Sequence, residues 1–185
     1  YVIIQFSVQR VKNQNIKLEG IVRERTSEIA SQNNLLEAQK EEITEKTKDI
    51  VDSIVYAKRI QDTILPTDRL PTMFKEHFVF YRPKDIVSGD FYWARQKGNQ
   101  SIFSAIDCTG HGVPGALVSI VGNAALLRCV NEHKLTEPAQ ILDKLREIVI
   151  RSFDSQGENV KDGMDMSLCT LDKDTMTLKY AGANN

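Results

Sequence analysis

Cysteine is scarce. The three present, Cys108, Cys129 and Cys169, lie far apart and form no Cys-x-x-Cys or Cys/His spacing. That argues against a disulfide scaffold or a cysteine-bound metal, and fits reduced, structural thiols in a cytoplasmic setting. An excess of charge of one sign is also missing. With 24 Lys and Arg against 25 Asp and Glu the formal net charge is −1, so no global attraction draws the chain to nucleic acid, and no nucleic-acid partner is expected. A long hydrophobic run near the start is lacking as well. Residues 1–8, YVIIQFSV, fall well short of the roughly 20 residues that cross a bilayer. They begin without methionine and are followed by Arg10, Lys12 and Lys17. Residues 1–17 therefore read as the end of a transmembrane span with its basic cytoplasmic flank.

Proline is absent from residues 18–65, where Gly20 is the one glycine among strong helix formers. Apolar side chains recur there every seventh position, at Val22, Ile29, Leu36, Ile43, Ile50, Ala57 and Ile64. This is the pattern of a coiled-coil seam. With these as d positions, the a positions are Thr26, Asn33, Lys40, Thr47, Ile54 and Gln61. Polar a residues lower stability while favouring a two-stranded register, so a weak parallel homodimer is expected through residues 18–65. A helix of that length would reach on the order of 70 Å, enough to carry a rotation or register shift.

Pro66 and Pro71 stop the helix and open a linker over residues 66–76. A globular part follows from residue 77. Residues 77–81 (HFVFY), 91–95 and 102–106 read as strands, the last two joined by a Lys97-Gly98-Asn99 turn. Pro114 opens a helix to about residue 133 that is apolar on nearly all sides, hence buried on more than one, with Leu126 expected at an outward position. Thr136 is the expected N-cap of a second helix, with Pro138 just inside, running to about residue 153. A polar, glycine-containing loop is expected over residues 155–163, then a hairpin of residues 164–171 and 176–181. The order makes this an α+β fold.

The centre of the pattern is residues 82–115, RPKDIVSGDFYWARQKGNQSIFSAIDCTGHGVPG. Asp90 follows Gly89 and opens a strand, while Asp107 closes another and leads into a Gly-His-Gly turn. Two carboxylates beside permissive backbone suit hard cations such as Mg2+ or Mn2+, which take few protein oxygens and keep several waters. Such ions would clamp a phosphate and activate water, giving hydrolysis without a covalent enzyme intermediate. Turn or capping carboxylates would have the same spacing.

DIVSGDFYW, AIDCTGHGVPGALVSIVG, DGMDMSLCTLD and YAGANN together resemble the metal-dependent serine/threonine protein phosphatases of the PPM superfamily, in the SpoIIE/RsbU-like bacterial branch. The similarity covers about residues 78–185. The upstream phrases LEGIVRERTSEI and SIVYAKRIQDTILP are similar to linkers joining membrane sensors to such domains. The resemblance implies a partial PPM-type β-sandwich flanked by helices, preceded by the coiled-coil helix. It implies that two ions, Mn2+ or Mg2+, are bound in the complete domain. Asp90 would bind one, Asp107 would bridge both, the Cys108 backbone carbonyl would be a further ligand, and Gly89 would let the backbone approach. His111 would be a general acid to the leaving oxygen, or else a turn-stabilising hydrogen bonder, since its spacing from the aspartate differs from that in eukaryotic relatives. Asp162 and Asp165 read as loop and strand-start residues, because the family's remaining metal aspartates belong to later motifs, beyond residue 185. The implied substrate is a phosphorylated bacterial regulatory protein of anti-anti-sigma type. The implied setting is a cytoplasmic domain attached to the inner membrane below a sensor domain. Two other readings are a non-catalytic dimerising relay or degenerate phosphatase, and a sensor-kinase-like ATP-binding protein, since residues 107–112 approach an Asp-x-Gly-x-Gly box with one residue too many.

Overall fold

A computed structural model of the chain describes residues 2–153 and 162–184. The chain divides into two compact units, Tyr1–Val51 and Asp52–Asn185. The elements in order are α1 (Val2–Asp62), α2 (Leu70–Met73), β1 (Phe91–Lys97), β2 (Gln100–Cys108), α3 (Gly112–Leu127), a π-helical turn (Arg128–Glu132), α4 (Pro138–Phe153), β3 (Met164–Asp172) and β4 (Thr177–Ala183). Most of the loop expected over residues 155–163 lies outside the described residues.

The first unit is the part of α1 up to Val51, and its described residues are all exposed. Pairs one turn apart support it, Lys46 with Glu42 at 2.6 Å and Arg25 with Glu28 at 2.7 Å, each worth a few tenths of a kcal/mol. Thr26 donates its hydroxyl to the Val22 carbonyl at 2.8 Å, which satisfies a residue otherwise unfavourable in a helix. The seven-residue stripe from Val22 to Ile50 is uncovered, each member more than half exposed.

The second unit is a four-stranded antiparallel sheet in the order β1-β2-β3-β4, the meander that short connections between successive strands favour. Register places Phe91 beside Ile106, Ile106 beside Met166 and Met166 beside Ala183. Because side chains alternate across a sheet, that row faces one side. There it joins Val118, Leu126, Ile141, Leu145 and Ile148 of α3 and α4 in the main core. On the other side α2 covers only β1 and β2, through Leu70 and Met73 against Ala94 with Phe74, Tyr92 and Phe103 around them. The α+β class is as the strand and helix pattern predicted.

Five local expectations are corrected. Residues 77–81 form no strand. A strand exists through its ladder partners, and among the described residues none pairs here, leaving Phe78 and Phe80 almost fully exposed. Leu126 is completely buried rather than outward, because α3 is packed by both the sheet and α4. The helix from Pro114 does run to about residue 133, as expected, though its last turn, Arg128–Glu132, is π-helical, and there Lys97 donates to the Val130 carbonyl at 3.0 Å; hydropathy does not register one extra residue per turn. Thr136 does not cap α4. The first carbonyl accepting from the helix is that of Glu137, from Ile141 N at 3.0 Å, which is the defining property of the cap residue. Gln61 is not a seam residue but is fully buried within the second unit, and α1 ends at Asp62 rather than 65. The apolar stretch Gly112–Glu132 is long enough to cross a membrane by length and composition, yet half of its most apolar window is buried as core.

Candidate functional site

The site is built from two loops at one end of the sheet. One, residues 85–90, leads into β1. The other leaves β2 after Asp107 and Cys108, turns through Thr109, Gly110, His111 and Gly112, and becomes α3. Gly110 takes φ +87°, a left-handed conformation that glycine adopts without steric cost. Glycines also let the two loops touch backbone to backbone. A Cβ on Gly89 would lie 2.6 Å from the Gly110 carbonyl oxygen and 3.0 Å from that of Cys108, and one on Gly115 would lie 2.5 Å from the Gly110 oxygen. The Cys108 carbonyl is thereby turned toward the Gly89 segment, beside Asp90.

Hydrogen bonds fix the rest. The Asp90 amide donates to Ser88 Oγ at 3.1 Å, and its carbonyl accepts from the Tyr81 hydroxyl at 3.1 Å. The Thr109 amide donates to the Gly163 carbonyl at 3.0 Å, and Gly163 N donates to Thr109 Oγ1 at 3.0 Å. This pins the turn after β2 to the start of β3. Partial burial, then a hydrogen bond to Asp107 and repulsion from its charge, push the Asp90 carboxyl above its ordinary value. Burial first, then the charges of Asp90 and Asp107, push the Cys108 thiol up to about 12. Its side chain therefore stays a protonated core group, leaving only its carbonyl for the site.

These groups open into a cavity of about 420 Å³ lined by Asp90, Asp107, Cys108 and Gly89, with His111, Asp85, Lys84 and Asp165 around them. His111 Nδ1 lies 3.0 Å from Asp85 Oδ2. The ring is thus partnered by a carboxylate rather than by its own turn, leaving Nε2 for other work. Asp165 pairs directly with Asp107 across β2 and β3 and receives Asn184 Nδ2 at 3.3 and 3.2 Å on its two oxygens. Asp162 faces a different cavity, beside α4 and β4.

Among the described residues no group of three or more His, Cys, Asp or Glu side chains is arranged to hold a metal ion. The donors present are two carboxylates that repel each other and a backbone carbonyl, a hard-oxygen set that fits Mg2+ or Mn2+ with water completing the shell. A cation held by Asp90 and Asp107 would offset their mutual repulsion, which adds to burial in raising the Asp90 carboxyl.

All five residues expected from sequence, Gly89, Asp90, Asp107, Cys108 and His111, meet at this cavity. Three more residues were not singled out, Asp85 and Asp165 at the cavity and Gln61 behind it, bonded to Ser88. Asp85 carries no signal beyond proximity. Asp165 reads as a solvated strand start until register sets it opposite Asp107. Gln61 hides in the helix, and its one sign is a position on the inward stripe with Ile54, Ala57 and Lys58, all partly buried.

No protein-family model matches the sequence, and no curated protein matches it significantly. Among solved structures it is similar to the SiaA-PP2C domain of Pseudomonas aeruginosa, with 36% identity and a TM-score of 0.67 over 74% of this chain. The match spans 55% of that chain's length. The chain therefore has the α+β fold of part of a PP2C domain, the PPM-type fold.

Proposed function

We propose that this chain belongs to a metal-dependent PPM phosphatase that hydrolyses phosphoserine or phosphothreonine on a bacterial regulatory protein, of the anti-anti-sigma type in the SpoIIE/RsbU-like branch. The observation that carries this is the meeting of Asp90, Asp107 and the Cys108 carbonyl in one cavity on a PP2C-type fold. Asp90 and Asp107 would hold Mn2+ or Mg2+ with the Cys108 carbonyl. The ions, when bound, supply charge neutralisation at the phosphate and acidify water. Asp107, near the end of β2 and opposite Asp165 of β3, would hold the ions together with Asp90. His111 is the proton donor for the leaving serine or threonine oxygen, with Asp85 fixing its ring and tautomer from Nδ1. The exposed heptad stripe supports pairing with a second copy through residues 18–65 as a parallel coiled coil, below a membrane-bound sensor.

The test is Mn2+ titration by calorimetry and phosphatase assay of the full-length protein on a phosphoserine protein substrate. Asp107→Ala is expected to abolish turnover, and Asp90→Asn to weaken Mn2+ binding beyond about 100-fold, since even outer residues of metal sites cost 10–100-fold. Full activity in Asp107→Ala would sink the metal role. A protein that binds neither Mn2+ nor Mg2+ would be the relay, and stoichiometric ATP binding would favour the kinase-like reading.

A further inference from the structure

Gln61 is the largest fully buried polar side chain among the described residues, and both ends of its amide are hydrogen-bonded. Nε2 donates to the Ser88 carbonyl at 2.5 Å and to Ser119 Oγ at 3.0 Å, while Oε1 accepts from Ser88 N at 3.0 Å. An amide carries two donor hydrogens and an acceptor oxygen, so it is matched on both sides. Gripping both the N–H and the C=O of one residue is what a neighbouring strand does to a backbone. Here a side chain does it, at a residue that no strand pairs with among the described residues. Ser88 Oγ then receives the Asp90 amide, and Ser119 passes its hydroxyl hydrogen to the Ala116 carbonyl at 2.7 Å inside α3. One turn earlier, Lys58 Nζ sits 5.9 Å from the centre of the Tyr81 ring, and Tyr81 donates to the Asp90 carbonyl. The Asp90 peptide is thus held at its N–H through Ser88 and Gln61, and at its C=O through Tyr81 beneath Lys58.

We infer that Gln61 is a positioning residue of the metal site, setting where Asp90 stands relative to Asp107 through Ser88. This rests on the reading of Asp90 as a metal ligand. Ordinary core packing does not require the arrangement. An apolar side chain of equal length would fill the same space but would leave the Ser88 N–H and C=O without the partner Gln61 supplies. The bonds of Gln61 run to one residue before Gly89 and to the third turn of α3, the two segments that bring the site's loops together. The Ser88 branch leads to Asp90; the Ser119 branch does not. That difference separates positioning from mere stability.

The experiment compares the full-length protein with Gln61→Met, Ser88→Ala and Ser119→Ala by Mn2+ calorimetry and by hydrogen exchange of individual amides. Gln61→Met is expected to weaken Mn2+ binding by about 10–100-fold, as loss of a second residue behind a ligand does. It should also speed exchange at Ser88 and Asp90 at least about tenfold while the β2 amides stay protected. Ser88→Ala should shift Mn2+ affinity in the same direction and decides the matter if Gln61→Met does not fold. Ser119→Ala should leave Mn2+ affinity near wild type. Wild-type Mn2+ affinity in both Gln61→Met and Ser88→Ala overturns the inference, as does exchange that rises uniformly across β1, β2 and β3. If the wild-type protein binds no Mn2+, yet Gln61→Met frees the Ser88 and Asp90 amides alone, the tie to Asp90 stands and the metal reading falls.

Discussion

The two loops of the site are held by opposite means. The loop before β1 is fixed by side chains reaching in from elsewhere, Gln61 on Ser88 and Tyr81 on Asp90. The loop after β2, besides its Thr109 pairing with Gly163, is fixed by backbone packed on backbone, with Gly110 between Gly89 and Gly115. Side-chain hydrogen bonds define an orientation but yield by rotation, since each contributes only about 1 kcal/mol net. Backbone packed on backbone has no rotamer to change, so any added atom must move the chain. The Asp107 side of the site is accordingly rigid, and the Asp90 side adjustable.

The most damaging way to break this comparison is to add one carbon to the rigid side. In Gly115→Ala the new Cβ would sit 2.5 Å from the Gly110 oxygen and 2.9 Å from its carbonyl carbon, with no flexible side-chain end to give way. A cost at or above the roughly 1–3 kcal/mol of overpacking is expected, together with loss of measurable Mn2+ binding as the Gly110 and Gly89 segments separate. Thermal unfolding and calorimetry of the variant read both. Near-wild-type Mn2+ affinity would show that the glycine contact is not what sets the site.

Much of the second unit was legible because its signals are local. Strands β1, β2, β3 and β4 alternate or end at turn residues, and Pro114 and Pro138 mark helix starts. The aspartates Asp90 and Asp107 were visible because each stands beside glycine at a strand end. What stayed hidden depends on who sits across the sheet or beneath a helix. Residues 77–81 have the composition of a strand but no ladder partner among the described residues. Leu126 lies on a helix apolar all round, so periodicity could not choose its inward side, and α4 and the sheet chose for it. Asp165 gains its place only from the register that sets it opposite Asp107. Gln61 follows the heptad spacing as well as any seam residue, and only the loop before β1 and helix α3 give it other partners, at Ser88 and Ser119.

A smaller effect is expected where a side chain orients another without touching the carboxylates. Asp85 sits 3.0 Å from His111 Nδ1, with both side chains well exposed, so the pair contributes little to stability. Asp85→Asn keeps the shape and removes the charge. Its expected outcome is a kcat about 10–100-fold lower, less than the roughly 100- to 10,000-fold of a whole proton donor because the His111 ring itself is kept, with Mn2+ affinity and substrate KM unchanged. Steady-state kinetics with Mn2+ titration check this. An equal loss in Mn2+ affinity would move Asp85 from the proton-transfer side of the site to the metal side.

The least effect is expected at a glycine that is left-handed like Gly110 but lacks the crowding of Gly115. Gly98, in the turn between β1 and β2, has φ +56° and nothing within 4 Å of a Cβ. Gly98→Ala therefore isolates the conformational cost of a left-handed residue, about 1–2 kcal/mol, which for a chain of this size corresponds to a Tm lower by roughly 2–8 °C. Mn2+ affinity should not change, because the turn lies at the opposite end of β1 and β2 from Asp90 and Asp107. Gly115 is buried and its contact is with another loop; Gly98 is exposed and its demand is on its own φ alone. Comparable Mn2+ losses in the two variants would mean that glycine acts on the site through general stability. A loss confined to Gly115→Ala would mean that it acts through the contact, which is what the rigid half of the site requires.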